Sequence, residues 1–188
     1  MATKNVTYRS YSMEYGTFVG LSWGALFLSY VEGIIYDNAL LILLCFMLCG
    51  VAFVLPFVLA FRLNRKVFLI GENLSYLQGL IFSISMFMYA CLLNGLIVYA
   101  YFQFMDDGSL FGRLNEMLTM PEMTSTYKSL GMGEQYAQMI DMMKDMSGLS
   151  ALDKALIVFN NNFFYGLTFS FVVAIVASYN LKRINNLK

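Results

Sequence analysis

The sequence predicts an all-α integral membrane protein with four transmembrane helices and an extracytoplasmic amphipathic helical insert between helices three and four. Hydrophobic residues make up 59% of the chain and charged residues only 13%, whereas a soluble domain carries about 25% charged residues. About 20 apolar residues span the hydrocarbon core of a bilayer. Four stretches meet this length, and Glu32 is the only charged residue in them: 15–36, 39–61, 75–104 and 159–180. The insert covers 105–158, and we expect residues 1–188 to form a single membrane domain.

The distribution of charge predicts the orientation of these helices. The segments before helix one, between helices two and three and after helix four hold eight basic and two acidic residues, for a net +6. The insert holds eight acidic and four basic residues, for a net −4. Basic segments stay on the cytoplasmic side of a membrane. We therefore predict a multi-pass membrane protein with both termini and the 62–74 loop in the cytoplasm. The charges counted outside the insert are Lys4, Arg9, Glu14, Arg62, Arg65, Lys66, Glu72, Lys182, Arg183 and Lys188.

Helix one carries a repeat of small residues at Gly16, Gly20 and Gly24. Small residues at this spacing let another helix backbone approach closely, which drives packing within lipid. The stripe is a candidate helix-packing surface, either for a second copy or a partner or for the chain's own helices. Packing within the chain is favoured, because a four-helix bundle already supplies neighbours.

Glu32 lies about one turn before the outer end of helix one, where a carboxylate is costly unless it is paired or reaches the interface. Ser29 lies on the same stripe, and Asn94 and the run Asn160-Asn161-Asn162 belong to the outer halves of helices three and four. These positions predict a polar pocket in the outer leaflet. An interfacial position for Glu32 is the alternative. The candidate pocket residues are Glu32, Ser29, Asn94, Asn160 and Asn161.

The connection between helices one and two is short, and helix three is long. Asp37 and Asn38 only reverse the chain, so helices one and two form an antiparallel hairpin. The uncharged length of helix three, ~45 Å at 1.5 Å per residue, exceeds the hydrocarbon thickness, so this helix tilts or projects beyond the membrane.

The insert shows the periodicity of short amphipathic helices, with Pro121 in the favoured first position of one of them. Ser150 and Asp153 resemble a capping box at the start of a helix that continues into the fourth span. Met139, Met142, Met143 and Met146 follow one another at helical spacing. Methionine adapts to irregular apolar contacts, so these residues are a candidate partner surface. A Cu(I) site is favoured less than a partner surface, because four thioethers on two sides of a helix do not converge on one ion.

The residue types that most enzymes need are missing. The chain has no histidine, the commonest general base and metal ligand, and no glycine-rich phosphate loop. Cys45, Cys49 and Cys91 lie within spans, where they act as small apolar residues and no disulfide is expected. We therefore predict no catalytic residue, no metal site, no cofactor and no nucleic-acid partner.

The end of helix three reads Tyr-Ala-Tyr-Phe-Gln-Phe-Met-Asp-Asp-Gly over residues 99–108. Together with the four-span layout and the methionine-rich insert, this run resembles a family of small membrane proteins of unknown function that is widespread in bacteroidete Gram-negative bacteria. The resemblance implies a location in the bacterial inner membrane and an accessory role in envelope glycan or lipid synthesis, beside a membrane glycosyltransferase. At Asp107 the relatives are expected to carry proline, so the turn differs here.

Two functions follow from these observations. The first is a non-catalytic accessory or interaction subunit, with the bilayer and a membrane protein, such as a glycosyltransferase or a second copy, as partners. The alternative is a small transporter or lipid-handling protein with a polar pocket around Glu32. An enzyme is favoured least.

Overall fold

The computed structural model of the chain contains seven α-helices, and no strand occurs in its described backbone, residues 2–69 and 73–179. Side chains are described for residues 10–69 and 73–179. Lys4, Arg9, Glu72, Lys182, Arg183, Lys188 and the predicted end of the fourth span at 180 lie outside this part of the chain. The helices are α1 (Ala2–Ile35), α2 (Ala39–Leu69), α3 (Tyr76–Phe104), α4 (Ser109–Thr119), α5 (Pro121–Ser129), α6 (Gly133–Ser147) and α7 (Ala151–Ala177).

Within the described residues, four helices are long and apolar enough to cross a membrane: α1 from Ser10, α2, α3 and α7. The most hydrophobic of them is α2. Its apolar 18-residue segment has a mean hydropathy of 2.8, and only 11% of that segment is buried inside the chain. Such a helix is stable only where lipid covers its outer face. The predicted fold class, an all-α membrane protein with four spans, is confirmed.

The basic segment after the second span is helical, although it was predicted to be part of a loop. Arg62, Arg65 and Lys66 belong to the last turns of α2, which continues to Leu69. The prediction ended the helix where the apolar run ends. Arginine and lysine are good helix formers, so the helix continues from the hydrocarbon into the polar layer.

The central helix of the bundle is α3, whose contacts with α7 and α1 are the most extensive between any two helices. In turn, α2 packs mainly on α1 and less extensively on α7. The main core lies towards the end of the bundle where α2 ends and α3 begins. It contains Tyr15, Val19, Leu59, Ala60, Leu63, Val67, Leu74, Phe82, Met86, Phe87, Ala90, Val173 and Ala177.

The insert consists of α4, α5 and α6, and its boundaries follow local sequence signals. Pro121 opens α5 in the first helical position, and Gly131, at φ 72°, follows the end of α5. The hydroxyl of Ser150 accepts a hydrogen bond from the Asp153 N–H at the start of α7. As predicted, one helix runs from the insert into the fourth span, so the first two turns of α7 precede the apolar stretch.

Candidate functional site: an intramembrane cavity

A cavity of about 370 Å³ lies among α1, α2, α3 and α7. The buried residues of α2 all lie from Ala52 onwards, up to Val67, where the core lies. The cavity is largely aromatic, and no charged side chain lines its described wall. Its wall includes the aromatic rings of Trp23, Phe27, Phe53, Phe57, Phe87 and Phe169.

Phe87 on α3 forms the floor of the cavity. Its ring stacks on Trp23 at 5.9 Å between centroids. A Cβ atom on Gly166 of α7 would lie 2.9 Å from the Phe87 Cβ, closer than side-chain carbons approach. The glycine therefore lets α7 close on α3, and this packing fixes the floor.

Asn94 is the unusual polar residue of the cavity. Its side chain is only 2% exposed, it lines the cavity, and its Oδ1 atom has no hydrogen-bond partner among the described residues. Three other buried polar residues of the bundle donate to carbonyl groups: Ser83 to Gly79, Ser170 to Gly166 and Asn64 to Tyr179. The buried Tyr15 hydroxyl also lacks a hydrogen-bond partner among the described residues, but Tyr15 lies outside the cavity wall.

An unpaired polar group within hydrocarbon is costly, because no water reaches it. A bound molecule that supplies a hydrogen-bond donor would remove this cost. Asn94 therefore makes the cavity a candidate binding site.

Asn162 on α7 adds a second carboxamide to the same cavity. The rim contains more exposed residues, among them Tyr30, Phe53 and Tyr165, which is 67% exposed. Phe53 on α2 meets Phe169 on α7 edge to face at 5.5 Å. The exposed rim gives the cavity an opening towards the surrounding lipid beside this aromatic pair.

Of the five residues predicted to form a polar pocket, Asn94 lines this cavity. Asn160 and Asn161 are exposed on α7, and Glu32 and Ser29 are half-buried outside its wall. Helical geometry explains the difference, since only one residue of the three-asparagine run faces the bundle, and that residue is Asn162.

The structure places the three glycines of α1 against α3 of the same chain. A Cβ atom on Gly16 would lie 2.6 Å from the Met86 carbonyl oxygen, and one on Gly24 would lie 2.3 Å from Ile97 Cδ1. The glycine stripe therefore contacts the chain's own third span.

The four methionines of α6 differ in exposure. Met142 is 62% exposed, whereas Met139, Met143 and Met146 are half-buried. The side of α6 that packs in the insert contacts α4 and α5, so Met142 is the member that faces outward.

Asn162 was noted as part of the asparagine run but left out of the candidate pocket residues, and the aromatic floor was not predicted. A usable signal existed on α7, because Ala155, Gly166, Ser170, Val173 and Ala177 are buried at spacings of three and four or their sums, and Asn162 falls on the same stripe. No comparable signal marked Trp23 or Phe87, because aromatic residues occur all along these spans.

The described part of the chain contains no group of three or more histidine, cysteine, aspartate or glutamate residues that could hold a metal ion. Cys45, Cys49 and Cys91 are free thiols, and Cys49 lines the cavity. The chemistry on the cavity wall is thus that of two neutral carboxamides, aromatic rings that include the phenols of Tyr30 and Tyr165, and one thiol.

A family model described as a protein of unknown function (DUF4199) matches residues 14–178. The chain belongs to the DUF4199 family. The match covers the four candidate spans almost completely, together with the insert, Asn94 and Asn162, and it agrees with the expected membership of a family of unknown function. No curated protein and no solved structure matches the chain.

Proposed function

We propose that this DUF4199 protein binds a lipid-like molecule in the cavity among its four spans and acts in lipid handling. The observation that carries the proposal is a cavity with apolar walls, an exposed rim and a buried, unpaired Asn94. Ligand sites are typically clefts of about 300–1,000 Å³ with apolar walls and a few polar groups. This proposal moves the expected pocket from Glu32 to Asn94.

A cavity-filling substitution tests the proposal. Ala52 is buried on α2 and lines the cavity, so Ala52→Phe should fill the cavity and exclude a ligand. The matched control is Ala25→Phe, which places the same ring at an exposed position on α1 away from the cavity. Both variants and the wild type would be purified in mild detergent, and the lipids that accompany them identified by mass spectrometry. We expect a lipid species with the wild type and with Ala25→Phe that is depleted at least five-fold with Ala52→Phe. Identical lipid profiles for all three proteins would contradict lipid binding in the cavity.

We infer a second candidate function, a non-catalytic accessory subunit of envelope glycan or lipid synthesis with a membrane protein such as a glycosyltransferase as partner. The insert supports it with large apolar side chains that face outward, including Met117, Met123, Met132 and Met142. Exposed methionines provide adaptable contact surfaces. A second copy of the chain is the alternative partner for the same helices.

The accessory function predicts a complex that depends on this surface. A pull-down from the native membrane should recover a stoichiometric partner with the wild type and with Gln138→Glu, and less of it with Met142→Glu. Both substitutions place a carboxylate at an exposed position of α6, so equal recovery with the two variants would count against Met142.

A further inference from the structure

We infer that the ligand of the cavity carries a hydroxyl group partway along an apolar chain and that Asn94 and Asn162 bind this hydroxyl. The inference rests on the proposed function and specifies the chemical class of the ligand. It is derived from the depth of Asn94, the neutrality of the cavity and the unpaired hydrogen-bonding groups on its wall.

Depth excludes the headgroup of an ordinary phospholipid as the partner of Asn94. Asn94 lies four residues from Ala90 at the middle of α3 (Tyr76–Phe104), which is about 6 Å along the helix at 1.5 Å per residue. The hydrocarbon core extends about 15 Å on each side of the bilayer midplane, so an α3 that projects beyond it at both ends keeps Asn94 within the hydrocarbon. The group that pairs with Asn94 therefore belongs to the hydrocarbon part of the ligand.

The neutral wall of the cavity and its hydrogen-bonding groups then favour a hydroxyl as the ligand group that pairs with Asn94. No charged side chain lines the described wall of the cavity, so a carboxylate or phosphate at this depth would lack a counter-charge. A hydroxyl donates one hydrogen bond and accepts others. It can donate to Asn94 Oδ1 and accept from the Asn162 amide, and it suits either orientation of the two carboxamides.

The backbone of α2 offers another acceptor near the cavity. Pro56 lies inside α2 and has no N–H, so the carbonyl of Ala52, four residues earlier, loses its usual helical donor. Both residues line the cavity. This second acceptor also favours a ligand that donates a hydrogen bond over one that only accepts.

The size of the cavity favours a single chain. A volume of about 370 Å³ lies near the lower end of the range for small-molecule sites. The aromatic walls supply apolar contact along the chain, and the exposed rim beside Phe53 and Tyr165 admits it from the bilayer.

Competition at Trp23 tests the inference, because Trp23 is the only tryptophan in the chain and lines the cavity. Methyl octadecanoate brominated near mid-chain would quench Trp23 in phosphatidylcholine nanodiscs. Two unlabelled competitors would displace it: methyl octadecanoate, and the same ester with a hydroxyl near mid-chain. One hydrogen bond is worth about 1 kcal/mol, so the hydroxylated ester should compete at about five-fold lower concentration.

Variants of the asparagines test which of these residues binds the hydroxyl of the ligand. Asn94→Leu should abolish the preference for the hydroxylated ester and keep binding of the plain ester, and Asn162→Leu should reduce the preference. Asn161→Leu, which changes a neighbouring asparagine exposed on α7, should leave it intact. If Asn94→Leu does not assemble, Asn162→Leu provides the same comparison.

The outcomes separate the two proposals. Equal competition by the two esters against the wild type, or a preference unchanged in both Asn94→Leu and Asn162→Leu, would overturn the hydroxyl assignment and leave lipid binding standing. Absence of saturable quenching by the brominated ester would overturn lipid binding itself.

Discussion

At the scale of single residues, glycines set the distance between α1 and α3. A Cβ atom on Gly20 would lie 2.9 Å from the Ala90 carbonyl oxygen and 3.0 Å from the Leu93 Cβ. At Gly16 the nearest atom is also a backbone oxygen, which cannot move without moving α3. In a membrane such close packing replaces the hydrophobic effect as the force that joins helices.

We expect Gly16→Ala to destabilise the bundle by about 2 kcal/mol, because the added methyl group overpacks a backbone contact. The control is Gly50→Ala, since no atom lies within 4 Å of the Cβ position there. Thermal unfolding of the two variants in the same detergent, followed by size-exclusion chromatography, measures the difference. An equal loss of stability in both would show that helix contact does not explain the glycine stripe.

Asn64 connects α2 to the end of α7. Its Nδ2 atom donates to the Tyr179 carbonyl oxygen at 2.7 Å and lies 3.3 Å from that of Val176. We expect Asn64→Ala to cost about 1–2 kcal/mol, because two carbonyl groups at a helix end lose their donor. Asn73→Ala, at an exposed asparagine, should cost little in the same chemical-denaturation experiment. If both variants unfolded alike, Asn64 would not act as a cap.

The role of a single residue could be predicted where it depends on the local sequence, but not where it depends on contacts with other helices. The glycine spacing predicted a close helix contact, and α3 supplies it. Glu32 attracted attention because a carboxylate in a span is rare, yet the cavity lies elsewhere. The importance of Asn94 comes from the missing partner of its Oδ1 atom, which depends on how far α2 stands from α3.

At the scale of elements, an aromatic cluster attaches α4 to the end of the bundle. Phe111 stacks on Phe102 at 6.0 Å, and the ammonium group of Lys154 lies 4.6 Å from the Phe111 ring centre. Leu110 packs against Val31 and Tyr101. These contacts join the insert to α1, α3 and α7.

We expect Phe111→Ala to loosen the insert and raise amide hydrogen exchange across α4 by at least ten-fold, because a buried ring and a cation–π contact are lost together. Phe104→Ala is the control, since Phe104 is exposed at the end of α3. Unchanged exchange in Phe111→Ala would show that the cluster does not hold the insert.

Arg113 makes a weaker link between α4 and the α1–α2 turn. It contacts Glu116 at 2.7 Å and Asp37 at 3.6 Å. The hydrogen bond and charge of Glu116, with a contribution from Asp37, raise the pKa of Arg113 above its ordinary value. A cation whose pKa is raised by folding stabilises the fold fully below its unfolded pKa and loses this effect only at higher pH. Arg113 should therefore add no pH dependence near neutrality, and Arg113→Gln should change hydrogen exchange less than Phe111→Ala does.

The elements themselves were largely predictable, because a span must be a long apolar helix and caps mark the short helices. The boundary between polar and apolar residues misplaced the end of α2. The continuation of α7 from the insert into the fourth span was predicted correctly, because nothing in the sequence interrupts the helix after its cap at Ser150.

At the scale of the whole molecule, we propose that the bundle forms a single membrane domain with the acidic insert outside the cytoplasm and both termini inside. A cysteine in place of Ser125 on α5 should react with a membrane-impermeant maleimide applied to the periplasmic side. A cysteine in place of Ser10 on α1 should react only after the membrane is opened. Both serines are exposed, so the reverse pattern would invert the topology.

The architecture was predictable because the bilayer acts as a solvent that permits few backbone structures. The cavity was not, because it depends on the direction in which α2 leaves α1 and on which face of α7 turns inward. Those features follow from packing of all four spans together and leave no periodic signal in one stretch of sequence.

Quenching of Trp23 by a brominated chain in the wild type and in Ala52→Phe tests the central claim most directly. If the cavity binds a lipid-like molecule, quenching saturates in the wild type and falls at least five-fold in Ala52→Phe, while Ala25→Phe behaves as the wild type. Equal, unsaturable quenching in all three proteins would mean that Trp23 meets only bulk lipid, and it would contradict a binding site in the bundle.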